Sequence, residues 1–161
     1  NIYNELINIF KQNNNEFDIT IFNNELKSNK MLNDFQAFLH EILRLYAPAM
    51  MSFVRVAKKD FKIDNNKYNI YKGNWFSINI IGIHYNKKYW GNKSQNITPN
   101  SLYLNNFKDS NGIFIKNNNN LFTFGVGTRM CPGIHLALKE LYIIFANLIL
   151  KYNITLDSND I

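Results

Sequence analysis

The scarce residue types of this 161-residue chain gather in one stretch, residues 121–137, LFTFGVGTRMCPGIHLA. It holds the only cysteine, Cys131, with three of the seven glycines (Gly125, Gly127, Gly133), one of three arginines (Arg129) and one of three prolines (Pro132). Gly125 and Gly127 permit backbone angles and close approaches that a side chain would block. Pro132 suits the first turn of a helix, where a missing N–H costs nothing. Ile134, Leu138, Leu141, Ile144, Phe145 and Leu148 then follow as the apolar residues of a helix. Cys131 therefore falls at or just before a helix N-terminus, where unpaired N–H groups and the positive dipole end favour a thiolate over a thiol. Arg129 adds a positive charge two residues away. A thiolate in that setting is either a nucleophile or a metal ligand.

A lone cysteine is most often a small buried hydrophobe, and this neighbourhood argues against that reading. A zinc site lacks its other ligands, since there is no second cysteine and no nearby histidine pair. A phosphate cradle is a weak match, because Thr128, Arg129 and Met130 follow Gly125-Val126-Gly127, so the third glycine of GxGxxG is missing, and there is no GK[ST]. The run Phe124-Gly125-Val126-Gly127-Thr128-Arg129-Met130-Cys131-Pro132-Gly133 fits FxxGxRxCxG at every fixed position. It resembles the cysteine-ligand loop of the cytochrome P-450 haem-thiolate monooxygenases. The resemblance implies that Cys131 is the axial ligand to haem iron, a thiolate that pushes electron density toward the metal. It also implies that Phe124 packs against the porphyrin beside the sulfur and that Arg129 pairs with a haem propionate. Gly127 and Gly133, with Gly125, would let the loop lie close to the ring and its N–H groups reach the sulfur.

Several upstream elements must position that loop. Residues 33–46 read as a strong helix, with Asn33 and Gln36 at capping-box spacing. Phe35, Phe38, Leu39, Ile42, Leu43 and Tyr46 form its apolar stripe, and Pro48 stops it. Glu41 and Arg44 lie on it three residues apart and share a face. An isolated pair of this kind is usually exposed and worth a few tenths of a kcal/mol, roughly. This one lies about 90 residues before Cys131 and resembles the family's E-x-x-R helix. The resemblance implies a pair buried behind the haem, holding the layer that supports the cysteine loop. Breaking such a pair by removing one partner costs on the order of 3–5 kcal/mol. Residues 51–58 and 67–72 read as strands, the second ending at Gly73, and residues 75–83 as a third apolar run, strand or short helix. Arg55, in the first strand, reads by itself as a surface residue; by resemblance it binds a haem propionate. All three arginines of a lysine-rich chain thus fall where a planar, bidentate fork is wanted.

Ile83-His84-Tyr85-Asn86 and Tyr89-Trp90-Gly91-Asn92 resemble the family's IHxD…W stretch, with Asn86 in place of the acid. His84 has no partner at metal-ligand spacing and reads as a packing residue, as do His40 and His135. Ile97-Thr98-Pro99-Asn100-Ser101-Leu102 stands where the family shows F-x-P-x-R-F, and only Pro99 matches. Ser101 replaces the arginine that would join Glu41 and Arg44, and Lys108 is the candidate substitute cation. This departure motivates a second reading, a non-catalytic or degenerate haem-thiolate protein, or a truncated remnant.

The rest of the chain bounds the answer. Residues 2–11 read as a short amphipathic helix carrying Ile2, Leu6, Ile9 and Phe10, and residues 12–30 as polar chain with a helical turn around 22–26. The apolar fraction of 46% suits a globular chain with room for one domain. The net charge of +6 comes from 15 lysines against 3 arginines. The lysines are scattered among acids and asparagines with no basic stripe, which excludes a nucleic-acid-binding module, though the charge would help a membrane surface or an acidic redox partner to dock. The 29 asparagines, with runs at 13–15 and 117–120, read as low-complexity loop insertions. One cysteine excludes an internal disulfide and fits a reducing compartment. The longest apolar stretch, residues 134–150, is interrupted by His135, Lys139, Glu140 and Asn147 and does not read as a membrane span. Residue 1 is asparagine, not methionine, and the chain reads as part of something longer.

The expected fold is mainly α with small β-sheets (α+β), with the helices at 33–46 and 133–152 packed together. By resemblance, residues 1–161 form one partial cytochrome P-450 domain, the C-terminal third of a member. The resemblance further implies haem as cofactor and O₂-dependent oxidation of a small organic substrate, with an NADPH-dependent flavoprotein reductase as partner. It implies the cytosolic face of the endoplasmic reticulum membrane for the full-length parent, with membrane contact only through segments outside this chain. The groups that handle oxygen and choose the substrate would also lie outside it.

Overall fold

The computed structural model describes residues 2–14, 16–28, 31–92, 96–116 and 118–155. In chain order these form α1 (Ile2–Phe10), α2 (Ile19–Ser28), α3 (Asn33–Leu45), β1 (Arg55–Val56), β2 (Phe61–Ile63), β3 (Tyr68–Ile70), β4 (Trp75–Phe76), α4 (Ile80–His84) and α5 (Ile134–Lys151), with short 3₁₀ turns between. The mixed, mainly helical architecture with small antiparallel sheets is the expected one. Among the described residues, no helix is long and apolar enough to cross a membrane.

The main core joins α1, α2, α3 and α5. Leu6, Phe10, Phe22, Leu32, Phe35, Leu39, Tyr142 and Ala146 are buried together there. The two long helices meet through Phe35 and Tyr142, ring centroids 5.9 Å apart, and Phe38 and Phe145 at 6.5 Å. The α5 stripe differs from expectation. Leu138, Tyr142, Phe145, Ala146 and Ile149 face the core, whereas Ile144 and Leu148 are 54% and 37% exposed. α5 carries apolar residues on more than one side, so spacing alone permits two faces, and the neighbouring helices select one.

Three helix boundaries differ from what the spacing implies. α2 is ten residues long rather than one turn, because the Asp18 side chain accepts from the backbone N–H groups of Thr20 (2.7 Å) and Ile21 (2.9 Å). The capping box at Asn33 and Gln36 does not form. Leu32 is the residue before α3 and makes no side-chain cap, while Asn33 Oδ1 accepts from the N–H of Phe114 at 2.9 Å. The α3 N-terminus is capped from another helix instead: the Glu5 carboxylate of α1 accepts from the N–H groups of Asp34 (3.0 Å) and Phe35 (2.9 Å). At the other end, Tyr46 follows the last helical residue and is 73% exposed, so it leaves the predicted stripe.

The expected strand at 51–58 shortens to β1, which pairs antiparallel with β4, Arg55 opposite Phe76. Between them in the chain lies a hairpin of β2 and β3, Ile63 opposite Tyr68. β2 was not expected. Its turn uses Asp64, Asn65 and Asn66 at φ of 52°, 51° and 69°, residue types that tolerate the left-handed region. The apolar run at 75–83 divides into β4 and α4, because Asn79 Oδ1 caps the helix from the N–H of Gly82 at 2.8 Å. Trp90 and residues 96–114 then fold back on α3 over a second small core of Ala37, Trp90, Phe107 and Phe114.

Candidate functional site

Glu41 and Arg44 are both completely buried, one α3 turn apart. Arg44 Nε donates to Glu41 Oε2 and Nη2 to Oε1, each at 2.7 Å, a bidentate fork. Nη1 donates to the carbonyls of His84 and Pro99, both at 2.7 Å, and Nη2 also to that of Ser101 at 3.3 Å. The guanidinium lies 5.0 Å over the Trp90 ring, a further attraction for a buried cation. Glu41 Oε1 accepts two more N–H groups, from the Tyr103 backbone at 3.0 Å and Asn106 Nδ2 at 2.9 Å. The pair thus gathers the ends of α4 and of the segment 99–106 onto α3.

Lys108 does not join this layer. Its ammonium pairs with Asp34 and holds that carboxyl below the usual range. The Ser101 hydroxyl turns to Thr98 Oγ1 at 3.1 Å, so only the Ser101 carbonyl reaches Arg44.

Two tethers run from this layer to the approach of the cysteine loop. His84 is fully buried, with Nε2 accepting from the N–H of Phe122 at 2.9 Å. Its Nδ1 therefore carries the proton and donates to the carbonyl of Arg44 at 3.0 Å. Burial, together with the Arg44 charge, pushes the imidazole below its usual pKa. Thr123 Oγ1 donates to the carbonyl of Leu43 at 2.8 Å. His40 is also buried, bonded to the carbonyl of Gln36. His135 is exposed on the first turn of α5, so the packing role expected for it does not hold.

The loop closes on itself. Cys131 N–H donates to the carbonyl of Phe124 at 2.8 Å, around a 3₁₀ turn at Gly127–Arg129. Gly125 and Gly127 both sit at φ +73°, where a side chain would be strained. Gly133 immediately precedes α5, and a Cβ there would lie 3.8 Å from Cys131 Sγ. Cys131 is exposed, Phe124 is half-buried, and Arg55 and Arg129 are both exposed. The two arginines, 74 positions apart in the chain, line one cavity of about 350 Å³ with Phe53 and Val54. A larger cavity of about 490 Å³ lies at the far end of α5, against Tyr3, Ile149 and Tyr152. None of the candidate site residues lines it.

The fold therefore brings Arg55 to Arg129 and Phe124 to Cys131, and places Glu41 and Arg44 in a separate buried layer beneath. Reading the residues missed Asn106, Thr123 and the Tyr103 N–H. Asn106 is one of 29 asparagines with no motif around it, and a backbone donor carries no sequence signal.

Residues 2–161 match the family model described as cytochrome P450. The chain is 34% identical over 131 residues to "Probable cytochrome P450 508C1" of Dictyostelium discoideum, covering 78% of this chain and 24% of that protein. It is 32% identical over 120 residues to "Probable cytochrome P450 518B1" of the same organism (74% and 22%). It is 30% identical over 124 residues to "Steroid 17-alpha-hydroxylase/17,20 lyase" of Squalus acanthias (76% and 23%). The chain belongs to the cytochrome P450 family, whose members carry haem, and it spans about a quarter of the length of these relatives.

Proposed function

We propose that this chain supplies the iron-ligand half of the site in a haem-thiolate monooxygenase, with Cys131 as the residue that would bind the iron. One observation carries the proposal. An exposed sulfur sits at the end of a self-closed glycine loop, and two arginines distant in sequence converge on one cavity with an apolar wall. That donor set fits haem: a soft sulfur for iron, two guanidinium forks for two carboxylates, and Phe53 and Val54 for the ring edge.

When bound, haem supplies the one-electron and O₂ chemistry that no side chain here can perform. The chain's own residues bind and orient. Cys131 would hold the metal as a thiolate, its position set by the turn that the Cys131 N–H closes on the Phe124 carbonyl. Arg55 and Arg129 would neutralise the propionates, while Glu41 and Arg44 hold the layer under the loop. The full protein would oxidise a small organic substrate with O₂, taking electrons from an NADPH-dependent flavoprotein reductase, at the cytosolic face of the endoplasmic reticulum membrane. The non-catalytic reading draws its support from Ser101, the asparagine-rich insertions and the family segments that lie outside this chain; against the first of these, the Glu41 carboxylate accepts four hydrogen bonds without an arginine at position 101.

The test is the absorption spectrum of the reduced, CO-bound intact protein beside Cys131→Ser. The wild type should give the thiolate-ligated spectrum and the variant should lose it. Equal haem binding and an unchanged spectrum in the variant would end this reading.

A further inference from the structure

With Ser101 turned away and Lys108 engaged by Asp34, no second cation reaches Glu41 among the described residues. We propose that Asn106 is the positioning residue that takes this role, a neutral amide that locks Glu41 and, through its own backbone, sets the segment leading to Cys131.

Four bonds support this assignment. Asn106 Nδ2 donates to Glu41 Oε1 at 2.9 Å and Oδ1 accepts from the N–H of Gly91 at 3.4 Å. Its backbone N–H donates to the carbonyl of Tyr103 at 3.0 Å, and its carbonyl accepts from Asn118 Nδ2 at 3.0 Å. The amide orientation follows from the partners, since the reverse would place two acceptor oxygens together. Asn118 in turn sets the turn before the loop: its Oδ1 accepts from the N–H of Asn120 (2.9 Å) and its carbonyl from that of Leu121 (3.1 Å). One residue thus joins α3, the turn at Gly91 and the approach to Phe122 and Phe124.

Charge counting gives the physical reason. Glu41 and Arg44 from α3 are the ionised groups in the layer, with His84 from α4 held neutral against Arg44. The pair is one to one, and the amide completes the carboxylate's donors without adding a buried charge that would need its own partner. Among the described residues, no buried side-chain polar atom lacks a hydrogen-bond partner. The layer is complete without a second arginine. This holds whether or not haem binds; only the consequence for iron ligation rests on the haem-thiolate reading.

The experiment uses the intact protein with Asn106→Ala and Asn106→Asp. Urea unfolding is compared with wild type at each pH from 8 to 5, with and without haem. N106A removes one donor from a buried charged acceptor and should lower the folding equilibrium by roughly 10- to 100-fold at every pH. N106D keeps the shape but sets a carboxyl against Glu41, so it should fall below N106A at pH 8. As pH falls, a proton on the introduced carboxyl restores a donor, and N106D should rise past N106A. A packing role alone predicts no such crossing. Parallel N106A and N106D profiles, or N106D equal to wild type, would overturn the assignment. If N106D is unfolded at pH 8, recovery at pH 5 supports it and failure at both counts against it. In the haem-loaded protein, the thiolate-ligated fraction of the CO complex should drop in both variants. A wild type with no thiolate spectrum would instead fault the haem reading and leave the urea comparison to decide.

Discussion

Arg44 places all five of its N–H donors, two on Glu41 and three on the carbonyls of His84, Pro99 and Ser101. Lysine has three donors and no plane, so Arg44→Lys cannot reproduce the fork. Arg44→Ala should destabilise the protein by about 3–5 kcal/mol, since it strands a buried carboxylate, and Arg44→Lys should recover less than half of that in urea unfolding. His84 gives a pH signature. Its ring must stay neutral for Nε2 to accept from Phe122, and its pKa in the fold is depressed below 6.5. The stability it contributes is present above about pH 6.5 and is lost as pH falls through the depressed value. His40, also lowered by burial, acts in the same direction. Stability should therefore decline from pH 7 toward pH 5, and His84→Asn should flatten part of that decline. Parallel wild-type and H84N profiles would show that His84 does not titrate there.

At the level of elements, the N-terminus of α3 depends on a side chain from α1. Glu5 accepts two of the orphan N–H groups of α3, across 29 and 30 residues of sequence. Glu5→Ala should cost about 1 kcal/mol, the usual loss of a helix cap, with Glu5→Gln between it and wild type. Burial raises the Glu5 carboxyl above its ordinary value, so its titration favours the fold most below about pH 4.5 and less as pH rises through the raised value, opposite in sign to His84. Hydrogen exchange of the Asp34 and Phe35 amides would report the cap directly: E5A should speed both and leave the α5 amides near Tyr142 unchanged. The cysteine loop depends on its neighbours in the same way. Thr123 and Phe122 hang from the carbonyl of Leu43 and the ring of His84, so α3 and α4 together set where the loop begins.

For the whole molecule, the packed core of α1, α2, α3 and α5 contrasts with the exposed apolar residues between α3 and α4. Phe53, Trp75 and Met50 are 90%, 77% and 70% exposed, and Phe53 lines the cavity that Arg55 and Arg129 share. On the haem-thiolate reading proposed above, this chain would offer haem one ligand and one wall, the cavity of Arg55, Arg129, Phe53 and Val54, so the isolated chain should bind haem weakly. Haem titration of the chain alone should give no stable thiolate spectrum; a stable one would show that one wall suffices. The sequence by itself determined the family, the helices α3 and α5, the Glu41–Arg44 pair on one helix face, and Cys131 in its glycine loop as the candidate for chemistry. Those features are local, since a turn or one helix face is written in consecutive residues. Only the tertiary structure decided that Glu5 caps α3, that Lys108 serves Asp34, that α5 buries Tyr142 and exposes Ile144, and that Asn106 answers Glu41. Each of these joins segments tens of residues apart, or chooses between apolar faces of one helix. No short-range pattern encodes such a choice, because it is settled by which donors and apolar faces packing leaves without a partner.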